Sequence, residues 1–115
     1  MEVIATRTFI KSAKPIAKKY HSFNDDYQRL VRELMDNHKI GVDLGNGYRK
    51  VRMAITSKGK GKSGGCRVIT LDMVERNGCL YLLYAYDKSD YDNVIMSVIK
   101  DLDLEMNLEN DMNSE

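Results

Sequence analysis

Residues 67–87 have the sequence RVITLDMVERNGCLYLLYAYD, and this stretch decides the fold. Two runs rich in apolar, β-branched and aromatic residues flank Asn77-Gly78, a strong short-range signal for a β-hairpin. We therefore expect antiparallel strands over 67–75 and 79–87.

The length of the hairpin turn sets the register. A two-residue turn places Arg67 opposite Lys88, and two like charges directly opposite are destabilising, which would indicate an anion site. A three-residue turn places Arg67 opposite Asp87, as a plain cross-strand salt bridge. The sequence leaves both registers open, and a β-bulge would mix them.

A third strand precedes the hairpin over 48–55. Its positions 51, 53 and 55 are apolar and predict one face, whereas Lys50 and Arg52 point to the other face. Gly45-Asn46-Gly47 is a turn signal just before it.

The N-terminal part predicts a short strand over 2–8 and then a helix. Helical apolar spacing runs from Phe9 to Tyr20. Pro15 is tolerated if it lies in the first turn, with Ser12 near the N-cap.

Two further helices carry N-terminal capping signals. Ser22 begins the first of them, with Asp25 three residues later as a variant of the capping box. Ser89 and Asp92 predict the start of a C-terminal helix that extends to about residue 102.

The element order β-α-α-β-β-β-α predicts an α+β fold. Two N-terminal helices would cover one face of a small, mostly antiparallel sheet, and the other face would be left free for a ligand. We expect a single domain over 1–105, followed by an acidic tail over 106–115 that is predicted to be disordered.

Charge is segregated along the chain. The formal net charge is only +1, but residues 48–71 contain seven basic residues and no acidic one. All 18 Lys and Arg lie in residues 1–100 with 11 acids, which gives 18 − 11 = +7, and residues 101–115 hold six acids and no base. A basic body is the electrostatic footprint of a phosphate-backbone ligand.

Several classes of protein are excluded or disfavoured by the sequence. No apolar run approaches the roughly 20 residues that span a bilayer, and no signal peptide begins the sequence, so we expect no membrane association and a cytoplasmic location. Cys66 and Cys79 predict neither a disulfide nor a metal site. His21 and His38 lie away from the basic segment, so we expect no metal and no cofactor.

The glycine-rich part of the basic segment is not a nucleotide-binding P-loop. Gly61-Lys62-Ser63 lacks the motif's first glycine, because Thr56 stands there, and a strand rather than a helix is predicted to follow. The plain alternative is a solvated, flexible hairpin loop.

Three segments together resemble the RelE/HigB family of toxins from bacterial toxin–antitoxin pairs, which share the RelE/ParE-like fold. They are YRKVR at 48–52, GKSGGCRVI at 61–69 and LLYAYDKS at 82–89. The likeness is strongest to the HigB branch and covers residues 1 to about 105.

The resemblance implies a toxin that acts as a metal-independent endoribonuclease and cleaves translated mRNA on the ribosome, with the 2′-hydroxyl attacking the adjacent phosphate. It also implies translation inhibition, 16S ribosomal RNA as a contact, and a cognate antitoxin partner, often with a helix-turn-helix domain. Related members of the superfamily act instead on DNA gyrase, so a non-enzymatic toxin with a protein target is the alternative, and a plain RNA- or ribosome-binding module is a third.

The resemblance also assigns roles to residues. Lys62 and Arg67 are the expected catalytic residues, with Lys60 as a second candidate, because a lysine among cations can act as a base and an arginine suits a transition-state phosphate. The remaining catalytic candidates are Lys88, Tyr86 and Tyr91. The expected RNA- or ribosome-binding residues are Arg49, Lys50, Arg52 and Lys58.

The sequence departs from the family pattern after the last strand. Many members have an arginine there and a tyrosine further along, whereas this chain has Asp87-Lys88-Ser89-Asp90-Tyr91. Tyr86 or Tyr91 would supply the aromatic group, and Asp87 and Asp90 are alternative acid–base groups.

Overall fold

The computed structural model describes residues 1–59 and 61–88, without the side chains of Lys62 and Ser63. The predicted C-terminal helix, Tyr91 and the acidic tail lie outside the described residues, as does Lys60.

The chain forms an α+β fold around one five-stranded sheet. The strands are β1 (Glu2–Ala5), β2 (Val42–Gly45), β3 (Tyr48–Met53), β4 (Cys66–Met73) and β5 (Cys79–Asp87), in the spatial order β1-β5-β4-β3-β2. The predicted antiparallel meander β3-β4-β5 is confirmed, and β1 pairs with β5 in parallel. The sequence did not predict the edge strand β2, which pairs with β3.

Helices α1 (Arg7–Lys19) and α2 (Phe23–Asp36) follow β1. The prediction of Pro15 in a first turn is wrong, because α1 begins earlier and the side chain of Thr6 caps it by accepting from Phe9 N at 3.2 Å. Ser12 instead donates to Phe9 O and accepts from Ala85 N at 2.9 Å, which ties α1 to β5.

The capping box predicted for α2 does not form. Ser22 precedes the helix but makes no side-chain cap bond. Its hydroxyl donates to the carboxylate of Asp26 at 2.7 Å, and Asp26 is buried.

Both predicted hairpin registers are wrong. The turn is longer than expected, because Val74–Asn77 form a one-turn helix, α4, closed by Gly78 in the left-handed region with a φ of 77°. A bulge between Ile69 and Thr70 then shifts the pairing back by one residue, which is not enough to restore either predicted register. As a result, Arg67 pairs with Tyr86, and Asp87 pairs with Cys66.

Two apolar clusters lie on the two faces of the sheet. The larger one joins α1 and α2 to the facing side of the sheet, and its fully buried members include Leu34 of α2, Ile55 just after β3 and Leu82 of β5. The opposite face was expected to be free, but it carries a second buried cluster with exposed fractions of 1–7%. Its members are Tyr48, Ile69, Leu71, Leu83 and Tyr86.

Two single-turn elements connect β3 to β4. They are a 3₁₀ turn over Thr56–Lys58 and the one-turn helix α3 over Gly61–Gly64. Among the described helices, none has the length and apolarity that crossing a membrane requires.

Candidate functional site

A row of three polar side chains crosses the three central strands at the end of the sheet next to the basic loop. Arg52 of β3 pairs with Arg67 of β4, and Arg67 pairs with Tyr86 of β5. Because directly paired residues share one face of a sheet and neighbouring strands lie about 4.8 Å apart, the three side chains are immediate neighbours. We call them the arginine row.

The two arginines of this row differ in exposure. Arg52 is exposed, whereas Arg67 is 7% exposed and donates from Nη1 to the carbonyl of Cys66 at 3.2 Å. The sequence predicted a like-charge pair at Arg67, with Lys88 as the partner in one register. A like-charge neighbour is present, but it is Arg52 on the other adjacent strand.

The next row along the same face combines a cation with an aromatic ring. Lys50 pairs with Ile69, which pairs with Tyr84, and the Tyr84 ring lies 6.4 Å from the Tyr86 ring. Tyr84 and Lys50 are both half-buried. Cations beside aromatic rings are the elements that RNA-binding surfaces use for phosphates and unstacked bases.

The loop that joins β3 to β4 is anchored to α2 where it begins. Buried Asp26 accepts from the backbone and hydroxyl of Thr56, and Ser22 Oγ accepts from Ser57 N at 3.0 Å. Burial alone raises the pKa of Asp26, but the hydrogen bonds from Thr56 and Ser22 and the charge of Arg29 lower that pKa below its ordinary value. The loop therefore begins from a fixed point.

The Lys58 side chain connects the two ends of the same loop to β5. Its ammonium group donates to Gly64 O at 2.8 Å and to Asp87 Oδ1 at 2.7 Å, and only 12% of its side chain is exposed. Tyr20 donates its hydroxyl to the other Asp87 oxygen at 2.8 Å, and its ring lies 5.1 Å from the Lys58 ammonium. This loop clasp, Lys58–Asp87–Tyr20, lies on the helix side of the sheet.

Gly65 allows the loop to approach the end of β3. A Cβ atom at this position would lie 2.0 Å from the Met53 carbonyl oxygen, so only glycine fits. The Gly65 carbonyl accepts from the Lys88 backbone N–H at 3.3 Å. The loop, the arginine row and Lys88 therefore meet at one end of the sheet.

Arg49 lies on the helix side, apart from the arginine row. Its Nη1 contacts Asp72 Oδ2 at 3.0 Å, and His38 Nδ1 contacts the same oxygen at 2.7 Å. Burial raises the pKa of Asp72, but hydrogen bonds from Val74, His38 and Arg49 lower that pKa below its ordinary value overall. These residues border an open cavity of about 340 Å³ at the far end of the sheet from the loop.

The predicted site residues therefore divide into three groups. Arg67, Tyr86, Arg52 and Lys50 share the face of the sheet opposite the helices, where Arg67 and Tyr86 are buried and Arg52 is exposed, and the Lys88 backbone lies beside the loop. Arg49 and Lys58 lie on the helix side with carboxylate partners, and their predicted RNA contacts stay predictions. Lys60, the Lys62 side chain, Tyr91 and Asp90 lie outside the described residues.

Sequence reasoning missed the residues that hold the loop. Tyr20 and Asp26 are 67 and 30 positions from their partners, so no local pattern links them. The one available signal was the placement of Asp26 on the buried face of an amphipathic helix, since a buried carboxylate needs partners.

Both cysteines are free thiols, and Cys66 is buried beside Asp87. Burial and the nearby Asp87 charge raise the pKa of the Cys66 thiol to about 12, so it stays protonated. No group of three His, Cys, Asp or Glu side chains within residues 1–59 and 61–88 is arranged to hold a metal ion.

The chain also matches a known protein family over almost its whole length. The family model described as the RelE toxin of the RelE/RelB toxin–antitoxin system matches residues 1–106. The match spans the described sheet, both long helices and the loop.

Proposed function

The chain belongs to the RelE family of toxins from toxin–antitoxin systems, and from this premise we propose that it is a ribosome-dependent endoribonuclease. It cleaves translated mRNA through attack of a ribose 2′-hydroxyl on the adjacent phosphate. An antitoxin that covers the site restrains it in the cell.

The observation that carries the proposal is the pairing of Arg52 with Arg67 across β3 and β4. Like charges directly opposite each other are unfavourable in a sheet. A phosphodiester whose oxygens accept from both guanidinium groups relieves that repulsion, because adjacent guanidinium groups provide charged donors for one phosphate. Tyr86 is buried beside this pair, and the half-buried Tyr84, whose ring lies 6.4 Å from the Tyr86 ring, provides an aromatic group for the base next to this phosphate.

Arg67 stabilises the transition state in this proposal. Its guanidinium is always charged and suits the geometry of a phosphorane oxygen pair. Because the Arg67 side chain is nearly buried and donates to the Cys66 carbonyl, it is held in place before substrate arrives. Preorganised donors of this kind avoid reorganisation during the reaction.

The lysines of the loop complete the chemistry in this proposal. Lys62 takes the proton of the 2′-hydroxyl, with Lys60 as the second candidate, and Lys88 or a tyrosine returns a proton to the leaving 5′-oxygen. Arg52 and Lys50 hold the RNA backbone. Lys58 has a different role, since its ammonium group already has oxygen partners in the loop clasp.

The test is single-turnover cleavage of mRNA on programmed ribosomes by the full chain. Arg67→Ala should lower the cleavage rate by about 10²- to 10³-fold, the effect of removing one oriented donor at a developing charge. Arg76→Ala is the matched control, because Arg76 is an exposed arginine on the distant α4 turn.

Two outcomes would contradict the proposal at different levels. If Arg67→Ala cleaves as fast as the unaltered chain, the site assignment is wrong. If the unaltered chain cleaves no mRNA on ribosomes and causes DNA damage on expression, the target is gyrase or a related protein, and the nuclease function is wrong.

A further inference from the structure

Helix α1 carries an unusual number of cations. Its 13 residues include five Lys and Arg and no Asp or Glu. Each of the five is exposed, and the function proposed above uses none of them. They are Arg7, Lys11, Lys14, Lys18 and Lys19.

Four of these cations form a straight line along the helix. Arg7, Lys11, Lys14 and Lys18 follow the spacing i, i+4, i+7, i+11, which at 100° per residue confines them to a sector of about 60°. The line is about 16 Å long at a rise of 1.5 Å per residue. We call these four residues the α1 stripe.

The stripe points directly away from the protein. The buried residues of α1 are Phe9, Ala13 and Ile16, which lie on the opposite side of the helix. Because this buried side packs on one face of the sheet, the stripe and the arginine row face opposite directions. One extended RNA strand therefore does not contact both.

The stripe lowers the stability of its own helix. Like charges at i, i+4, such as Arg7 with Lys11 and Lys14 with Lys18, each disfavour a helix by about 0.2–0.5 kcal/mol. Arg7 also stands in the first turn, where the helix dipole disfavours a cation, whereas Lys18 stands in the last turn, where the dipole favours one. Stability does not explain this arrangement, whereas an anionic ligand does.

The stripe cations have no carboxylate partners in the described part of the chain. The ion pairs found there use other basic residues, such as Arg29 with Asp26 and Lys58 with Asp87. None of the four stripe residues takes part in an ion pair with another described residue. Their charges face solvent.

We propose that the α1 stripe is a second RNA-binding surface, which binds the phosphate backbone of structured RNA. Long, exposed, regularly spaced cations without acids between them suit a backbone and read no sequence. A membrane surface is disfavoured, because a membrane-binding helix needs a broad exposed apolar face, whereas Phe9, Ala13 and Ile16 of α1 are buried and Ile10 is its one large exposed apolar side chain. The stripe holds the RNA scaffold while the arginine row, on the other side, contacts the strand to be cut.

The test compares two triple variants of the full chain that change the net charge equally. Lys11→Gln/Lys14→Gln/Lys18→Gln removes most of the stripe. Arg32→Gln/Lys39→Gln/Arg76→Gln removes three exposed cations elsewhere. The probes are small ribosomal subunits without mRNA and a short RNA duplex, with affinity measured between about 50 and 300 mM salt, the range over which phosphate contacts weaken.

The stripe variant should bind both probes about 10- to 100-fold more weakly at physiological salt. The slope of log affinity against log salt should fall in magnitude by about 2 to 3, close to one per lost phosphate contact. The control triple should change affinity about threefold or less. Equal losses in the two triples, or no loss in either, would overturn the proposal, because net charge or another surface would then account for binding.

Two further measurements distinguish RNA from the remaining anionic ligands and from the nuclease site. If the stripe variant keeps its RNA affinity but loses binding to polyglutamate or to anionic vesicles, the stripe serves an acidic protein or a membrane, and the RNA inference is wrong. Arg67→Ala should lose cleavage and keep stripe-dependent binding, so the nuclease function and the stripe can each fail without the other.

Discussion

The cations on the two faces of the sheet have different neighbours. On the helix side, Lys58 contacts Asp87 and Arg49 contacts Asp72, each at 3.0 Å or less. On the other side, Arg52 pairs directly with Arg67. A cation that contacts a buried carboxylate holds the structure together, whereas two guanidinium groups paired across strands together offer donors for an external anion.

Folding divides the basic segment into two sets. The sequence suggests that Arg49, Lys50 and Arg52 form one group, but alternation along β3 sends Arg49 to the helix side. Lys58 also lies on the helix side, where its ammonium group contacts Asp87. The residues most suited to act on RNA lie on the face opposite the helices, where strand pairing places one arginine beside another.

The largest expected effect comes from breaking the loop clasp. Asp87→Ala leaves the nearly buried Lys58 ammonium without its carboxylate, and removing one partner of a buried pair costs about 3–5 kcal/mol. Denaturation by urea would measure this loss. The control is Glu75→Ala, because Glu75 meets Lys39 at 4.0 Å on the surface and should contribute no more than about 1 kcal/mol.

A double variant tests whether the clasp is structural. Lys58→Met/Asp87→Leu replaces the pair with apolar groups, so it should be less destabilised than Asp87→Ala alone. If Asp87→Ala costs no more than Glu75→Ala, the Lys58–Asp87 pair is solvated, and the contrast between the two faces of the sheet is not real.

The loop itself supplies the second-largest effect. Gly65→Ala places a Cβ atom 2.0 Å from the Met53 carbonyl oxygen, so the loop or β3 has to shift, at a cost of about 3 kcal/mol. Gly59→Ala is the control, since its Cβ meets open space and only its φ of 71° is unfavourable, at about 1 kcal/mol. Similar melting temperatures for the two variants would show that the loop does not close on β3 through Gly65.

The sequence predicted the meander and the two N-terminal helices, because these depend on local periodicity. The role of Arg67, which rests on a short motif, stays a prediction. The sequence missed the register, because Asn77-Gly78 is the end of a one-turn helix and not a two-residue turn. Two side chains hold this helical turn at its ends: Asp72 Oδ1 accepts from Val74 N, and Asn77 Oδ1 accepts from Cys79 N. The sequence also missed the loop clasp, whose members meet only after the sheet forms. Contacts between residues far apart in the sequence cannot be predicted from the local spacing of residue types.

Acid should weaken the helix side of the sheet selectively. The pKa values of Asp26 and Asp72 are lowered in the folded chain, so the stability that they contribute is present above the unfolded pKa of about 3.9. It is lost as the pH falls through the lower folded values.

The measurement is the free energy of unfolding as the pH is lowered from neutral to about 3. The unaltered chain should lose stability mainly below about pH 4. Asp72→Asn should be less stable at neutral pH and should lose less on acidification, because its side chain no longer titrates. An equal acid loss in Asp72→Asn and the unaltered chain would exclude Asp72 as a source of the pH dependence.

The smallest effect has the opposite sign. Arg52→Gln removes one of two paired like charges, so the unfolding free energy should rise by about 0.2–1 kcal/mol. The same change should weaken RNA binding and lower the slope of log affinity against log salt by about one in magnitude.

Lys50→Gln is a matched control, because Lys50 lies on the same face of the same strand but pairs with uncharged Ile69. A gain in stability from Arg52→Gln without one from Lys50→Gln would locate the repulsion at the Arg52–Arg67 pair. Equal changes in both variants would mean that the two arginines do not repel each other, and the pair would then give no reason to place an anion between them.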